Sequence, residues 1–195
     1  MTGPADSDLW FPTAPGPVRT VPAAQRGALR GQRVVTGTPG RGWRYDLRAD
    51  DPVERDGRRF VPVLAEHDWY RAELDDTDVF APLVPVERVW VEQPDTGAGT
   101  ADPPANLLSR LVSLDAPPLR IPVPARDVPA LTGRRLVVVS PETARRDVRA
   151  VSEPYENDDG TICLSVCAES DWYRWAFAGR PADCTEVPVY LAWAE

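Results

Sequence analysis

Charged side chains recur at every second position along two stretches of the chain, residues 44–49 and 145–150. Both stretches carry the pattern Arg-x-Asp-x-Arg. A period of two is typical of a β-strand, because successive side chains point to opposite faces. The segments Arg-Val-Val-Thr at residues 33–36 and Arg-Leu-Val-Val-Val at residues 135–139 predict a further strand ahead of each stretch. The pattern therefore predicts β structure, written in the same order twice.

The recurrence belongs to a longer internal repeat. Residues 65–71 (Ala-Glu-His-Asp-Trp-Tyr-Arg) return at residues 168–174 with a single change. Around them, residues 57–92 align without a gap on residues 160–195, and 13 of the 36 positions are identical. Unrelated segments of ordinary composition would share roughly two. The sequence therefore predicts an internal duplication into two units of about 85 residues, each large enough to bury its own core.

Each unit contains signals for a hairpin turn and a short helix. The Asp-Gly pairs at 56–57 and 159–160 are typical of tight turns between antiparallel strands. Asp68 and Asp171 are each followed by residues that favour helix, and an Asp there can accept backbone N–H hydrogen bonds. These two residues are therefore predicted to cap helices of about two turns.

The closing segments, residues 84–92 and 187–195, are predicted to be single continuous strands. Each unit then has about five short strands, and a sheet this small must close on itself to bury its edges. The order resembles the SH3-like small barrel, in which a helical turn also precedes the final strand. The sequence carries no signature of an SH3, Tudor or KOW domain, so no binding residues are carried over. The expected fold is mainly β: two tandem homologous small SH3-like β-barrels, each with a short helical turn before its last strand.

The repeat also sets the expected domain boundaries. Residues 1–8 are small and polar and are predicted to be disordered. The first barrel is placed at residues 9–92, and its apolar start, residues 9–11, is predicted to dock onto the barrel. A linker rich in Gly, Pro, Thr and Asp follows at residues 93–105, and the second barrel is placed at residues 106–195.

Charge and hydropathy narrow the classes of partner. Asp and Glu outnumber Arg by eight, and the 22 basic residues are all Arg. This acidic balance disfavours nucleic acid as a partner, because phosphate binding needs a basic surface. The sequence contains neither an apolar run long enough to span a membrane nor a signal peptide at its N-terminus. A cytoplasmic protein without membrane contact is the expectation.

The cysteines give little support for a cofactor or a metal. Cys163, Cys167 and Cys184 all lie in the second unit, at positions that the first unit fills with Phe60, Leu64 and Ala81, which are suited to packing. An odd number of cysteines without paired spacing is unlike a disulfide framework. Buried reduced thiols are predicted, with no bound metal and no cofactor.

Several polar residues are retained in both units, among them Glu66 with Glu169 and the charged strands. The Asp of each charged strand is predicted to pair with Arg on its own strand or on a neighbouring strand. His67, the single histidine, lies beside carboxylates and could act as a general base. Its aligned residue is Ser170, and no nucleophile can be assigned to it. An enzyme is therefore not favoured, although catalysis is left open.

Binding is the favoured class of function. Four aromatic residues have no aromatic counterpart in the other unit, so the shared core does not require them: Trp43, Tyr45, Tyr155 and Trp175. Aromatic residues of this kind are candidates for partner contacts. The leading hypothesis is a non-catalytic module that recognises a peptide or a protein through these residues and the cleft between the barrels. The alternative is a small-molecule site or an enzyme in that cleft, with His67, Glu66 and Glu169 as its first candidates.

Overall fold

The computed structural model describes residues 11–38, 42–94 and 116–195. In these ranges the chain forms two sheets, each of seven antiparallel strands, and two α-helices. The prediction of a mainly β protein is therefore confirmed. Residues 11–94 are called the first half below, and residues 116–195 the second half.

The first half contains one curved sheet. Its strands are β1 (Val18–Pro22), β2 (Arg33–Thr38), β3 (Gly42–Ala49), β4 (Val53–Arg55), β5 (Arg58–Ala65), β6 (Leu83–Pro85) and β7 (Val89–Pro94). Hydrogen-bonded neighbours follow the order β1-β7-β2-β3-β5-β4, and β6 pairs with β5. This sheet is a half-barrel.

The second half repeats this arrangement. Its strands are β8 (Val123–Pro124), β9 (Arg135–Val139), β10 (Ala144–Ala150), β11 (Tyr155–Glu156), β12 (Ile162–Ala168), β13 (Cys184–Pro188) and β14 (Ala192–Ala194). Their order is β8-β14-β9-β10-β12-β11, with β13 paired to β12. Counted from the first strand of each half, the two orders are the same. A backbone bridge between Val18 and Arg120 joins the two halves.

Each half contains one helix, directly after its longest apolar strand. These are α1 (Glu66–Asp75) and α2 (Glu169–Ala178). The predicted caps Asp68 and Asp171 are wrong, because each helix begins two residues earlier, after an extended alanine. Both Asp side chains lie in the first turn, where the positive end of the helix dipole stabilises a carboxylate. Each also lies close to the Arg three residues later.

The closing strands differ from the prediction. A 3-10 turn interrupts each of them, at Val86–Arg88 in the first half and at Val189–Leu191 in the second. Each turn begins directly after a proline, Pro85 or Pro188. Proline has no N–H to donate to a sheet, so the ladder ends there and the chain can turn. The turn carries the chain from β6, beside β5, to β7, beside β2.

The charged strand of the first half is also irregular. Asp46 has a positive φ of 55°, and the register of β2 against β3 shifts by one residue there. Arg44 pairs with Thr36, whereas Leu47 pairs with Val34. Since directly paired residues point to the same side, Arg44 lies on the side of Leu47 rather than that of Arg48. The alternation of residues 44–49 predicts that the charged side chains of this strand share one face, and for Arg44 and Arg48 this prediction is wrong.

Each half has its own apolar core. One cluster comes entirely from the first half and one entirely from the second. The first consists of Ala23, Leu29, Val34, Leu47, Ala49, Val61, Val63, Val89 and Val91. The second consists of Ala125, Leu131, Leu136, Val138, Val148, Ala150, Leu164, Val166, Val187, Val189, Ala192 and Ala194. Burial of these side chains is the main favourable contribution to folding of each half.

Several expectations about the ends of the units concern residues that the structure does not describe. Residues 1–8 and most of the predicted linker lie outside the described residues. Strand β7 continues to Pro94, two residues into that linker. Phe11 is 76% exposed, so the predicted docking is wrong for this residue, whereas residues 9 and 10 of the same segment lie outside the described residues. In the described part of the chain, no helix is long and apolar enough to cross a membrane.

Candidate functional site

The two halves meet around a buried cluster of charges. Because α1 and α2 begin at Glu66 and Glu169, both carboxylates lie at the junction of the halves, each only 1% exposed. Strands β2, β3, β9 and β10 direct arginines at them: Arg33, Arg48, Arg135 and Arg149. A buried carboxylate is costly unless it is paired and hydrogen-bonded. This junction supplies several partners for each.

Glu169 accepts hydrogen bonds on both carboxylate oxygens. Its Oε2 is bound by the first half, by Arg48 Nη2 at 2.7 Å, Arg33 Nη2 at 3.2 Å and the Tyr70 hydroxyl at 3.3 Å. Its Oε1 is bound by its own half, by Arg135 Nε at 3.0 Å and Arg149 Nε at 3.1 Å.

Glu66 has the mirrored set of partners. Its Oε2 is bound by the second half, by Arg135 Nη2 at 2.6 Å, Arg149 Nη2 at 2.9 Å and the Tyr173 hydroxyl at 3.0 Å. Its Oε1 faces Arg48 Nε of its own half at 3.3 Å. The junction is therefore reciprocal, as in a two-fold dimer interface, where residue i contacts residue j and j contacts i.

The aspartates of the two charged strands also pair reciprocally across the junction. Asp46 Oδ1 is 3.1 Å from Arg135 Nη2, and Asp147 Oδ1 is 2.6 Å from Arg33 Nη2. The predicted pairing of each Asp within its own half is therefore wrong, because these partners lie across the junction. Tyr70 and Tyr173 stack on each other there, with ring centroids 5.1 Å apart.

The surroundings shift the pKa values of these groups. Burial raises the pKa of Glu66. The negative charge of Glu169 raises it further, whereas the neighbouring arginines lower it. Burial also acts on Glu169, but its four arginines outweigh it and hold its pKa well below the ordinary value. Burial raises the pKa values of Tyr70 and Tyr173, so both hydroxyls stay protonated as donors.

Two further carboxylates extend the cluster at the ends of the last strands. Glu92 pairs with Arg120 of the second half. Glu195 has a side chain only 1% exposed, and it pairs with Arg33 of the first half at 3.5 Å and with Arg146 at 3.0 Å. Both residues therefore help to hold the halves together.

The aromatic residues singled out from the sequence have different surroundings. Trp43 packs edge-on against Trp90, and Tyr45 lies under the guanidinium of Arg120. The Tyr155 hydroxyl donates to Glu186 at 2.7 Å, and Trp175 is partly exposed on α2. Their role in binding stays a prediction.

His67 and the two glutamates also have separate positions. His67 stacks on Phe177, with ring centroids 5.3 Å apart, and its Nε2 is 3.2 Å from Asp68. It lines a small groove of about 60 Å³ between α1 and α2. The side chains of Glu66 and Glu169 fill the junction, so a ligand would have to displace arginines to reach them. Their predicted role in ligand binding stays a prediction.

A larger cavity lies on the first half, away from the junction. Its volume is about 480 Å³, and it is enclosed by β5, α1 and the segment after α1. Trp69 and Leu64 line it together with four carboxylates: Asp50, Glu73, Asp76 and Asp78. Aromatic surface among carboxylates is the chemistry that binds organic cations.

A cation from the chain itself lies at this cavity. The guanidinium of Arg30 lies over the Trp69 ring, 5.8 Å from its centroid. Its Nη2 donates to Glu73 at 2.6 Å, and its Nη1 is 3.3 Å from Asp50. The Arg30 side chain is 57% exposed, so it remains in contact with solvent while it pairs with two carboxylates that line the cavity.

Sequence reasoning missed this cavity, although a signal was present. The aligned positions of Glu73, Asp76 and Asp78 in the second half are Ala176, Gly179 and Pro181. These acidic residues, which the first unit has alone, are a signal of the same kind as its unmatched aromatic residues. Asp50 comes from a distant loop, so no local pattern could have grouped it with them.

The structure gives little support for a metal site, and the three cysteines differ in exposure. Within the described residues, no group of three or more His, Cys, Asp or Glu side chains could hold a metal ion. The predicted burial of the thiols holds for Cys163 and Cys167, whereas Cys184 is exposed.

No protein-family model matches the chain, and no match was found among curated proteins or solved structures.

Proposed function

We propose that the protein is a non-catalytic binding module that recognises a protein or peptide by a basic side chain held in the Trp69 cavity. The observation that carries this proposal is the position of Arg30, whose guanidinium lies over Trp69 between Asp50 and Glu73. Guanidinium groups stack on aromatic rings and bind carboxylates through a planar set of donors. A partner's arginine could therefore use the same contacts.

Arg30 would be easy to displace. Its ion pairs to Asp50 and Glu73 are exposed to solvent, and exposed pairs of this kind contribute about 0–1 kcal/mol. Two more carboxylates, Asp76 and Asp78, line the cavity. The chain's acidic excess would also attract a basic segment over a longer range.

Retention of three of these acids in the first half alone supports a function rather than a role in the fold. The second half builds the same strand order without counterparts of Glu73, Asp76 and Asp78. A fold requirement would apply to both halves. The cavity is also within the size range of small-molecule sites, about 300–1,000 Å³, so a free organic cation is the alternative ligand.

Nucleic acid is disfavoured as a partner because the side chains of Arg48 and Arg149 point into the junction.

We also infer that each half is an SH3-like small barrel and that the halves arose by duplication. The shared strand order supports this, as does the 3-10 turn directly before the last strand of each half. The reciprocal contacts of aligned residues at the junction support it further. The cytoplasm stays the proposed location.

A fluorescently labelled peptide tests the proposed function. We expect a short peptide of Gly and Ser with one central Arg to bind, and the same peptide with neutral citrulline to bind up to about tenfold more weakly, since it loses two exposed ion pairs that contribute about 0–1 kcal/mol each. Fluorescence anisotropy at low salt gives both affinities. Free arginine amide as a competitor distinguishes the small-molecule alternative, because it would then bind as tightly as the peptide.

Variants locate the binding to the cavity. Glu73→Gln is expected to weaken binding of the arginine peptide by up to about fivefold, the effect of one exposed ion pair, and Arg30→Ala to strengthen it by removing the internal competitor. Glu54→Gln is the matched control, because Glu54 is exposed on β4 and its loss changes the net charge equally. Equal affinities of the wild type and the Glu73→Gln variant would reject the proposal.

A further inference from the structure

Two of the three cysteines lie directly opposite each other on neighbouring strands. Cys167 of β12 is the register partner of Cys184 of β13 in an antiparallel pair. Directly opposed residues have Cα atoms about 4.5–5.5 Å apart and side chains on the same face. A disulfide requires a Cα separation of about 4.4–6.8 Å. The backbone therefore already has the geometry for a bond between these two thiols.

The two thiols differ in access to solvent. Cys184 is exposed and its Sγ donates to the Ala182 carbonyl at 3.5 Å, whereas Cys167 is buried. Burial raises the pKa of Cys167 to about 12, and the adjacent Cys184 thiol contributes to the rise. A dissolved reagent therefore meets Cys184 first, and Cys167 reacts only through its neighbour.

Cys163 provides a contrast within the same strand. It is also buried, but its register partner is Pro188. It precedes Cys167 by four residues on an extended strand, about 13 Å along the chain, which is too far for a disulfide to either of the other two thiols without backbone movement.

We propose that Cys167 and Cys184 form a reversible intramolecular disulfide by exchange with a low-molecular-weight disulfide such as oxidised glutathione. The Cys184 thiolate attacks one sulfur of the reagent, forms a mixed disulfide and releases one glutathione thiolate. Cys167, whose raised pKa keeps it protonated at neutral pH, then loses its proton and attacks the Cys184 sulfur, and the second glutathione leaves. The protein loses two electrons and two protons, and both pass to the two glutathione molecules, which leave as thiols.

The bond would close a loop around α2. This helix lies between the two cysteines in sequence and carries Glu169 and Tyr173 into the junction. The aligned positions of the first half are Leu64 and Ala81, which line the Trp69 cavity. The modification is therefore specific to the second half, and it restrains the helix that holds the two halves together.

Mass spectrometry of the full chain tests the proposal. After incubation with oxidised glutathione and alkylation of the remaining thiols, we expect a peptide linked through Cys167 and Cys184, with the loss of two hydrogen atoms. Cys163 should be alkylated only after unfolding, and dithiothreitol should reverse the change. A thermal midpoint several degrees higher for the oxidised protein is also expected, because the bond restricts the unfolded chain.

Cysteine variants give the controls. The Cys163→Ser variant should behave as the wild type, and the Cys167→Ser variant should stop at a glutathione adduct on Cys184. In the Cys184→Ser variant, whose exposed position tolerates the change, Cys167 should stay unmodified. A wild-type protein that accumulates the Cys184 adduct without the internal bond, or that links Cys163 instead, would overturn the proposal.

Discussion

Glu66 and Glu169 occupy aligned positions, yet their pKa values shift in opposite directions. Glu169 accepts hydrogen bonds from four arginines, whereas Glu66 accepts them from two and faces its own half's pair less closely. Two carboxylates so close together cannot both gain fully from the same guanidiniums. The junction therefore stabilises the charge of Glu169 at the expense of Glu66.

Replacement of the two glutamates should have unequal effects. Glu169→Gln is expected to lower the free energy of unfolding by about 3–5 kcal/mol, because it leaves buried guanidiniums without their partner. Glu66→Gln should cost less, because the protein stabilises that carboxylate less. Urea denaturation at pH 7, followed by tryptophan fluorescence, measures both. A greater loss for Glu66→Gln would contradict this assignment of the charge.

The same difference predicts how stability depends on pH. The pKa of Glu169 is lower in the folded protein than its ordinary value of 4.5. Its contribution is therefore complete above about pH 4.5 and decreases as the pH falls further. Glu66, with a raised pKa, has a contribution of opposite sign that offsets part of this loss. Denaturation of the wild type between pH 6 and pH 3 should show a decrease that is smaller in Glu169→Gln.

At the scale of elements, proline places the 3-10 turns. Each of the four such turns in the described ranges begins directly after a proline in the sequence Val-Pro-Ala or Val-Pro-Val: at Pro22, Pro85, Pro124 and Pro188. The signal is not sufficient, because Val61-Pro62-Val63 stays within β5. Here the residue after the proline, Val63, pairs with Ala49 of β3, so the ladder continues past the proline and the segment stays extended.

Substitution of two glycines in tight turns would distinguish the cost of backbone strain from the cost of a packing clash. Gly57 and Gly133 both have positive φ, 70° and 81°. A Cβ on Gly57 would meet no atom within 4 Å, whereas a Cβ on Gly133 would lie 3.1 Å from the Trp172 ring. Gly57→Ala should therefore cost about 1–2 kcal/mol from conformation alone, and Gly133→Ala should cost more.

Thermal unfolding of the two variants measures this difference. The tryptophan fluorescence of Gly133→Ala should also change, since the ring must move to admit the methyl group. Equal losses of stability in the two variants would show that Trp172 can shift without cost.

At the scale of the whole molecule, the charged junction joins two halves that each have an apolar core. Its contacts are reciprocal, as in an interface between two copies of one chain. Buried ion pairs contribute less to stability than their number suggests, because desolvation offsets their attraction. Their arrangement instead defines how the halves fit, since a misplaced half would leave several charges buried without partners.

This arrangement predicts association of the separated halves. Produced as two chains, residues 1–105 and 106–195, they should elute together from a size-exclusion column as a one-to-one complex. Arg149→Ala should weaken this complex by about 30-fold or more, because truncation of a buried charged pair costs at least about 2 kcal/mol. Arg58→Ala is the control, since Arg58 forms an exposed ion pair with Glu87 away from the junction. Halves that elute separately as folded monomers would contradict the prediction.

The sequence by itself determined the elements and their repetition. The presence of the strands, the Asp-Gly turn at 56–57 and the helix that begins at the Glu of each Ala-Glu motif depend on neighbours a few residues apart, so the local pattern was sufficient to indicate them. It did not give the helix caps, the register shift in β3 or the 3-10 turns in the closing strands. It also indicated that Glu66 and Glu169 are needed in both halves, without indicating why.

Only the tertiary structure decided which groups meet. The hydrogen bond from Arg48 to Glu169 joins residues 121 positions apart, and Arg30 reaches Glu73 across 43 positions. A charge at such a distance in sequence has many candidate partners of equal chemistry, and the choice among them depends on how the folded halves pack. For this reason the sequence predicted that the Asp of each charged strand pairs with Arg on its own or a neighbouring strand, whereas the fold pairs Asp46 and Asp147 across the junction. The fold also places the acidic cavity at Trp69.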